Sequence, residues 1–358
     1  MRQRFWPLVI ASVIGLIGAA CGGGAAAPSP ATSPAAQAST AATPSGLTQD
    51  VNMKQNIGPL AYYAPLHVGV QQGFFKANHI NMSLVDLPAG SLDAPAILNG
   101  DIEVGDVGFN DIASLKAQGK DLIAIYDLQN RVTLDFVVAN KFLKDHNLSP
   151  TMPLADKFKG LKGMRIGISS PGAPTDLFAR YYVRQAGLDP DKDVQIIRIG
   201  SIAGLLAALR SDQIDGYMLS APSPQQVEQQ GLGQILIKSS AGEVPQLANF
   251  YYTVFAMRAD YIQKNPAIVT AYIKAIQQAN DWMRQHHDET VAILRKVNPS
   301  VDPATMQLAY DLLLGSISKD GKFEQKAVQD TANFYKDAGV IQSVPDTAEG
   351  VMWTNKFH

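Results

Sequence analysis

One pattern occurs twice in this chain, in the same order, and it limits the fold more than any single residue does. In the first copy a short apolar run ends at Asn56-Ile57-Gly58-Pro59-Leu60-Ala61-Tyr62-Tyr63-Ala64-Pro65. A helical stretch with Val68, Val70, Phe74 and Phe75 follows, and residues 82–87 form the next strand. In the second copy Arg165-Ile166-Gly167-Ile168 ends at Ser169-Ser170-Pro171-Gly172. A helix with Phe178, Tyr182 and Val183 follows, and then strand 194–199. Both copies continue alike. Pro88-Ala89-Gly90-Ser91 and Ile199-Gly200-Ser201 each open a helix, which ends at Gly100-Asp101-Ile102-Glu103-Val104-Gly105 in one copy and at Asp212-Gln213-Ile214-Asp215-Gly216 in the other. Each copy then enters a short strand with a polar end, Val107-Gly108-Phe109-Asn110-Asp111 and Tyr217-Met218-Leu219-Ser220-Ala221. Strands alternating with helices are joined by right-handed crossovers, which makes neighbouring strands parallel. An α/β chain of two similar lobes is expected.

Two extended runs connect the lobes. Thr-Leu-Asp-Phe-Val-Val-Ala at 133–139 leaves the first lobe, and Phe-Tyr-Tyr-Thr-Val-Phe-Ala-Met at 250–257 leaves the second. Residues 266–285 carry Ile268, Val269, Tyr272, Ile273, Ile276, Ala279 and Met283 at helical spacing. Helices are also expected at 290–297, 304–314 and 325–338, with Asn298-Pro299 and Asp302-Pro303 as boundaries. This organisation assigns 51–135 plus 254–358 to lobe 1 and 136–253 to lobe 2.

The amino terminus has a different character. Arg2 and Arg4 precede an apolar run at 5–17, shorter than the ~20 residues a membrane-spanning helix needs. Small residues follow, and then Cys21, the only cysteine of the chain. A basic start, a short apolar core and small residues form a secretory signal. A lone cysteine makes no disulfide within its chain. Residues 22–50 are Gly, Ala, Pro, Ser and Thr in the main, with no charge before Asp50. Such a segment buries too little apolar surface to offset its chain entropy and is expected to be a flexible tether.

With 46% apolar residues the remainder has material for a sizeable core, and a net charge of −2 argues against a nucleic-acid surface. The six histidines, His67, His79, His146, His286, His287 and His358, have no zinc-type spacing. There is no phosphate-binding Gly-x-x-x-x-Gly-Lys loop and no Gly-x-Ser-x-Gly elbow. No enzyme, cofactor or metal is expected.

Several stretches carry a family resemblance. Gly18-Ala19-Ala20-Cys21 resembles a bacterial lipoprotein signal, with Gly18 where that signal usually has a branched aliphatic residue. It implies cleavage and lipidation at Cys21, the alternative being a plain signal peptide cleaved near Ala20. Tyr63-Ala64-Pro65-Leu66-His67-Val68-Gly69-Val70-Gln71-Gln72-Gly73-Phe74-Phe75, Leu98-Asn99-Gly100-Asp101-Ile102-Glu103 and Leu161-Lys162-Gly163-Met164-Arg165-Ile166-Gly167 resemble motifs of the SsuA/TauA/ThiY-like solute-binding proteins of ABC transporters. That branch handles sulfonates, taurine, nitrate and thiamine precursors, and the resemblance covers roughly 55–340. It implies a two-lobe periplasmic-binding-protein fold of the two-crossover type, each lobe a mostly parallel sheet flanked by helices. It further implies a monomer that is lipid-anchored outside the cytoplasm, captures a small-molecule ligand and delivers it to an ABC permease. One relative on this fold is a pyrimidine-making enzyme with a cysteine-rich motif, which nothing after Cys21 supplies.

Ligands of such folds sit beyond the carboxyl ends of the strands, between the lobes. That rule selects Tyr62, Tyr63, Asn110 and Asp111 in the first lobe. In the second it selects Ser169, Ser170, Gly172, Ala173, Thr175, Ser220 and Ser223. The 169–175 turn opens a helix at Pro174, and free N–H groups with the helix dipole suit an anion. Serine hydroxyls suit a sulfonate or carboxylate, and the tyrosines could stack on a ring. Asp111 and Asp176 count against a plain anion, and Arg131 and Arg198 are the nearest arginines without falling at a strand end. A zwitterion with its amine near an aspartate fits both sets of residues, and an uncharged heterocycle between tyrosines is the competing reading. If Cys21 carries the anchor, Cys21→Ser should move the protein from the membrane to the soluble fraction, read by fractionation and by lipid mass on the wild type.

Overall fold

The computed structural model describes residues 46–87, 90–247 and 250–358. The strands are β1 Val51–Ile57, β2 Ile80–Asp86, β3 Gly105–Gly108, β4 Leu122–Gln129, β5 Asp135–Ala139, β6 Arg165–Ile168, β7 Gln195–Arg198, β8 Gly216–Leu219, β9 Gly233–Ile237 and β10 Thr253–Arg258. One sheet runs β7-β6-β8-β5-β9. In the other group β1 pairs with β2, β10 lies between β3 and β4, and a parallel bridge from Gln55 to Val104 joins the two pieces. The order β2-β1-β3-β10-β4 thus mirrors β7-β6-β8-β5-β9. Each sheet takes its fourth strand from the chain leaving the other: β5 follows β4 and β10 follows β9, yet each sits in the opposite sheet.

Each sheet is mostly parallel, as expected, with the exchanged strand as its one reversed member. The β1–β2, β6–β7 and β6–β8 pairs are parallel. The exchanged strands run antiparallel to both neighbours, because each enters its sheet from the far side. The duplicated pattern leaves out β4, although Leu-Ile-Ala-Ile-Tyr at 122–126 is an unbroken apolar run. All eight of its residues are buried, so it lacks the apolar–polar alternation of a strand with one wet face.

The four C-terminal helices begin close to where their spacing predicts. Pro266–Gln285 has Pro in its first turn and buries Val269, Tyr272, Ile273, Ile276, Ala279 and Met283. It packs on helices Ala64–Gln71 and Phe74–Ala77. His287–Val297 packs on Ala64–Gln71, and Gln325–Asp337 on Phe109–Ala117. Pro303–Leu314, capped by Asp302 accepting from the Thr305 N–H at 3.1 Å, touches both the Ala61–Tyr63 turn and helix Ser223–Gln229. The core is shared between the sheets. One apolar cluster joins Ile123, Phe255 and Tyr272 to Val137, Leu205 and Tyr217. A second joins Val107 and Ala124 to Ile166 and Phe178.

The signal sequence, Cys21 and residues 22–45 of the tether lie outside the described residues, as do Pro88 and Ala89. Among the described residues no helix is long and apolar enough to cross a membrane.

The exchanged strand β5 is wedged between two glycine-bearing strands. A Cβ on Gly233 would stand 2.2 Å from the Val138 carbonyl oxygen, and one on Gly216 would stand 2.6 Å from that of Val137. Backbone cannot move aside cheaply, so Gly233→Ala should cost at least the ~1–3 kcal/mol typical of overpacking. Gly315, with φ −77° and only a 3.5 Å contact, is the control. Gly315→Ala should be neutral or stabilise by up to about 1 kcal/mol. Urea unfolding of the two variants checks the contrast.

Candidate functional site

The carboxyl ends of β1, β3 and β6 and the start of β10 surround a cavity of about 50 Å³. One water needs ~10–15 Å³ of such space, so the cavity accommodates a few heavy atoms. Of the residues selected from the sequence, Tyr62, Tyr63, Asp111, Ser169, Ala173 and Thr175 line it. Asn110, Ser170, Gly172, Ser220 and Ser223 do not. Asp93, Asp106, Leu134, Ile202 and Tyr252 also line it, and the strand-end rule does not select them.

The tyrosines sit on the short turn Ala61–Tyr63, with ring centroids 4.6 Å apart and planes at 38°. Gly58 makes room for them: a Cβ there would lie 3.1 Å from the Tyr63 ring. The Ala61 N–H donates to the Ala221 carbonyl at 3.0 Å, which ties this turn to the end of β8 in the other sheet.

The charge of the cavity comes from three aspartates. Asp106 is a strand residue of β3 and only 3% exposed. Its backbone is satisfied by Asn56, whose Oδ1 accepts from the Asp106 N–H at 2.7 Å and whose Nδ2 donates to the Asp106 carbonyl at 3.1 Å. Its carboxylate Oδ1, however, is buried without a hydrogen-bond partner. Burial pushes the Asp106 carboxyl up to about 7, against the lowering effect of the Tyr63 and Tyr62 phenols. Asp111 lies in the first turn of helix Phe109–Ala117 and accepts from Asn110 Nδ2 at 2.9 Å. Burial raises it to about 7 as well, with the Gly108 N–H opposing and Asp106 adding repulsion. Asp93 is held well above the usual carboxylate range by burial, then by Asp106. Among the described residues no Lys, Arg or His lines this cavity. Arg131 instead donates to the Ser240 carbonyl at 3.3 Å, and Arg198 ends β7 on an exposed edge.

The second-sheet turn differs from its expected role. The Ser169 N–H donates to Thr175 Oγ1 at 3.1 Å, and the two hydroxyls lie 2.9 Å apart. The Gly172 N–H donates to Asp176 Oδ2 at 2.9 Å, and Asp176 Oδ1 accepts from Arg180 Nε at 2.6 Å. The protein's own carboxylate therefore takes the anion position at this helix N-terminus. Ser170 reaches across to the other sheet's side and donates to Ser91 Oγ at 3.0 Å. Ser220 pairs with Thr133 at 2.7 Å beside a smaller adjoining cavity. Ser223 pairs with the Tyr217 hydroxyl at 2.6 Å. Among the described residues no group of His, Cys, Asp and Glu has metal-holding geometry.

Two mirrored sheets that exchange a strand and hold a cavity at their strand ends define the periplasmic binding protein fold, which solved structures share. Residues 49–295 match the NMT1-like family, and the chain belongs to it. The nitrate/nitrite binding protein NrtA of Nostoc sp. is 25% identical over 280 residues, 71% of this chain and 58% of its own. The nitrate import ATP-binding protein NrtC of Synechocystis sp. is 24% identical over 266 residues, 69% of this chain and 37% of its own. The alkanesulfonate-binding protein SsuA from Xanthomonas axonopodis pv. citri, solved with MOPS bound, gives a TM-score of 0.66 at 17% identity, over 84% of this chain and 97% of its own. The chain spans less than two thirds of the length of the sequence relatives it matches.

The raised carboxyls set a pH dependence. Asp106 and Asp111 keep their protons up to about pH 7 when folded, against 3.8 for the ordinary group. The folded chain therefore binds more protons than the unfolded one in that window, and stability falls as pH rises through it. Each pH unit by which a carboxyl is raised is worth ~1.4 kcal/mol, so ligand-free protein should be less stable at pH 8 than at pH 4.5 by on the order of a few kcal/mol. Asp106→Asn should flatten that slope. Denaturant titrations at the two pH values test this, and a stability that rises from pH 4.5 to 8 would contradict it.

Proposed function

We propose that this chain is an extracytoplasmic solute-binding lipoprotein of an ABC importer. It captures a small organic solute between two lobes and passes it to the permease subunits. The observation that carries this reading is the cavity itself, walled by the strand ends of both sheets, with β5 and β10 as the two connections. We assign 51–135 with 254–358 to lobe 1 and 136–253 to lobe 2. The Ala61–Ala221 and Ser91–Ser170 hydrogen bonds are then contacts of the closed form. Closure about two short connecting strands is a hinge motion, and a ligand favours it only through contacts that the open form lacks. Tyr62, Tyr63 and Asp111 offer such contacts from lobe 1, and Ser169 and Thr175 offer them from lobe 2. The protein works as a monomer held to the cell membrane through Cys21, without catalytic chemistry or a cofactor.

A cavity of about 50 Å³ would not admit a flavin, and an amino-sulfonate such as taurine is nearer its scale. A single pyrimidine ring against the tyrosines is the second reading, favoured by the paired rings of Tyr62 and Tyr63. A thermal-shift screen of sulfonates, amino-sulfonates, nitrate, bicarbonate and pyrimidines tests the proposal. A true ligand at a hundredfold its Kd adds about 2.7 kcal/mol and raises Tm with concentration. Tyr62→Ala should abolish that shift.

A further inference from the structure

We propose that the solute presents a positively charged nitrogen to the lobe 1 wall of the cavity, seated at Asp106 between Asp93 and Asp111. It would be an organic amine, an amidine or a protonated amino-heterocycle. This assignment rests on reading the cavity as a solute site.

Three independent observations lead to it. First, Asp106 Oδ1 is an acceptor buried in the wall with no partner in the protein. Buried polar atoms are almost always hydrogen-bonded, and an unpaired one is costly. Second, the described lining holds three carboxylates and no Lys, Arg or His. Buried charge of one sign is tolerated only when it is paired or neutralised, and Asn56, Tyr62, Tyr63 and Tyr252, which also face Asp106, are uncharged. Third, the one backbone donor of the Ser169–Thr175 turn that is seen at the opposite wall is engaged, Ser169 N–H by Thr175 Oγ1, and the Gly172 N–H, away from the cavity, is taken by Asp176. A cation meets the opposite situation, with a free acceptor and aromatic faces that attract positive charge. A metal ion is a poorer fit, because the three carboxylates do not gather into metal-holding geometry. Nitrate and sulfonate, named for two proteins similar to this one, would add negative charge beside carboxyl groups that already repel one another.

Binding at pH 8 tests the assignment, by thermal shift and calorimetry with matched probes. Ethylammonium, guanidinium and taurine carry the nitrogen; ethanesulfonate, nitrate and bicarbonate do not; zinc and calcium ions are the metal control. The nitrogen-bearing probes should raise Tm and the anions should not. Asp106→Asn should weaken the nitrogen-bearing probes roughly ten- to a hundredfold, the range for a lost charge-assisted hydrogen bond, with Asp111→Asn as a second variant. Stabilisation by anions alone overturns the cation assignment while leaving solute capture intact, and stabilisation by metal ions alone does the same. If no probe binds, the ligand-free protein decides. A higher Tm for Asp106→Asn at pH 8 but not at pH 4.5 marks a carboxylate that the protein itself does not pair and upholds the assignment. No rise, together with no binding by any probe, counts against both the cation and the solute reading.

Discussion

The exchange of β5 and β10 is the constraint on which the site depends. Because β5 follows β4 but pairs in the second sheet, and β10 follows β9 but pairs in the first, the chain passes from one sheet to the other at two places. Backbone hydrogen bonds that a sheet must make hold each crossing strand in its new sheet, and the strand ends of both sheets border one cavity. Gly216 and Gly233 permit this by leaving out the Cβ atoms that would press on the carbonyls of β5. The start of β10 is at once part of this connection and part of the cavity, for Tyr252 and Thr253 line it and the Tyr252 carbonyl accepts from the Phe109 N–H at 3.1 Å. The connection and the floor of the site are the same few residues.

The same geometry explains the charge of the site. β3 is short and buried on both faces, and Asp106 lines the cavity. Its neighbours satisfy its backbone, and the Tyr63 and Tyr62 phenols serve its carboxyl group, but Oδ1 is left without a partner. Asp111 occupies the helix start that follows β3, where the dipole favours negative charge, and Asp93 occupies the first turn of helix Asp93–Asn99. Each placement is ordinary alone. Their convergence beside three tyrosines, with no cation among the described lining residues, is the ground for the cation assignment proposed above.

Much of this is legible in the sequence. The duplicated strand–helix order locates both sheets, since Gly-rich and Pro-rich turns punctuate it at matching points, and the apolar stripe of 266–285 bounds its helix to the residue. The strand-end rule finds Tyr62, Tyr63, Asp111, Ser169, Ala173 and Thr175. Other features are not singled out by these patterns. β4 is buried on both faces, so it shows no alternation, and its apolar run Leu-Ile-Ala-Ile-Tyr at 122–126 falls outside the duplicated order. Asp106 sits inside a strand that reads Gly-Asp-Val-Gly, where a carboxylate looks like a break in the core rather than a wall of a site. The turn geometry singles out Gly172 for a donor that Asp176 in fact engages, because which carboxylate reaches which N–H is decided by side-chain rotamers and not by spacing.

The two walls of the cavity are unequal, and the inequality bears on how closure and recognition are linked. Asp93, Asp106 and Asp111 all belong to the lobe 1 side, whereas the facing wall offers Ser169, Ala173, Pro174, Thr175, Ile202 and Leu219, none of them charged. Bringing an uncharged wall over three carboxylates strips them of water and returns no opposite charge, so closing without a ligand carries a desolvation cost. A solute that neutralises the carboxylates offsets that cost in the closed form, whereas in the open form water already solvates them. Differential stabilisation of this kind is what shifts a conformational equilibrium. On this reading the charge that selects the solute is also the charge that reports its arrival to the hinge, and the uncharged lobe needs little specificity of its own.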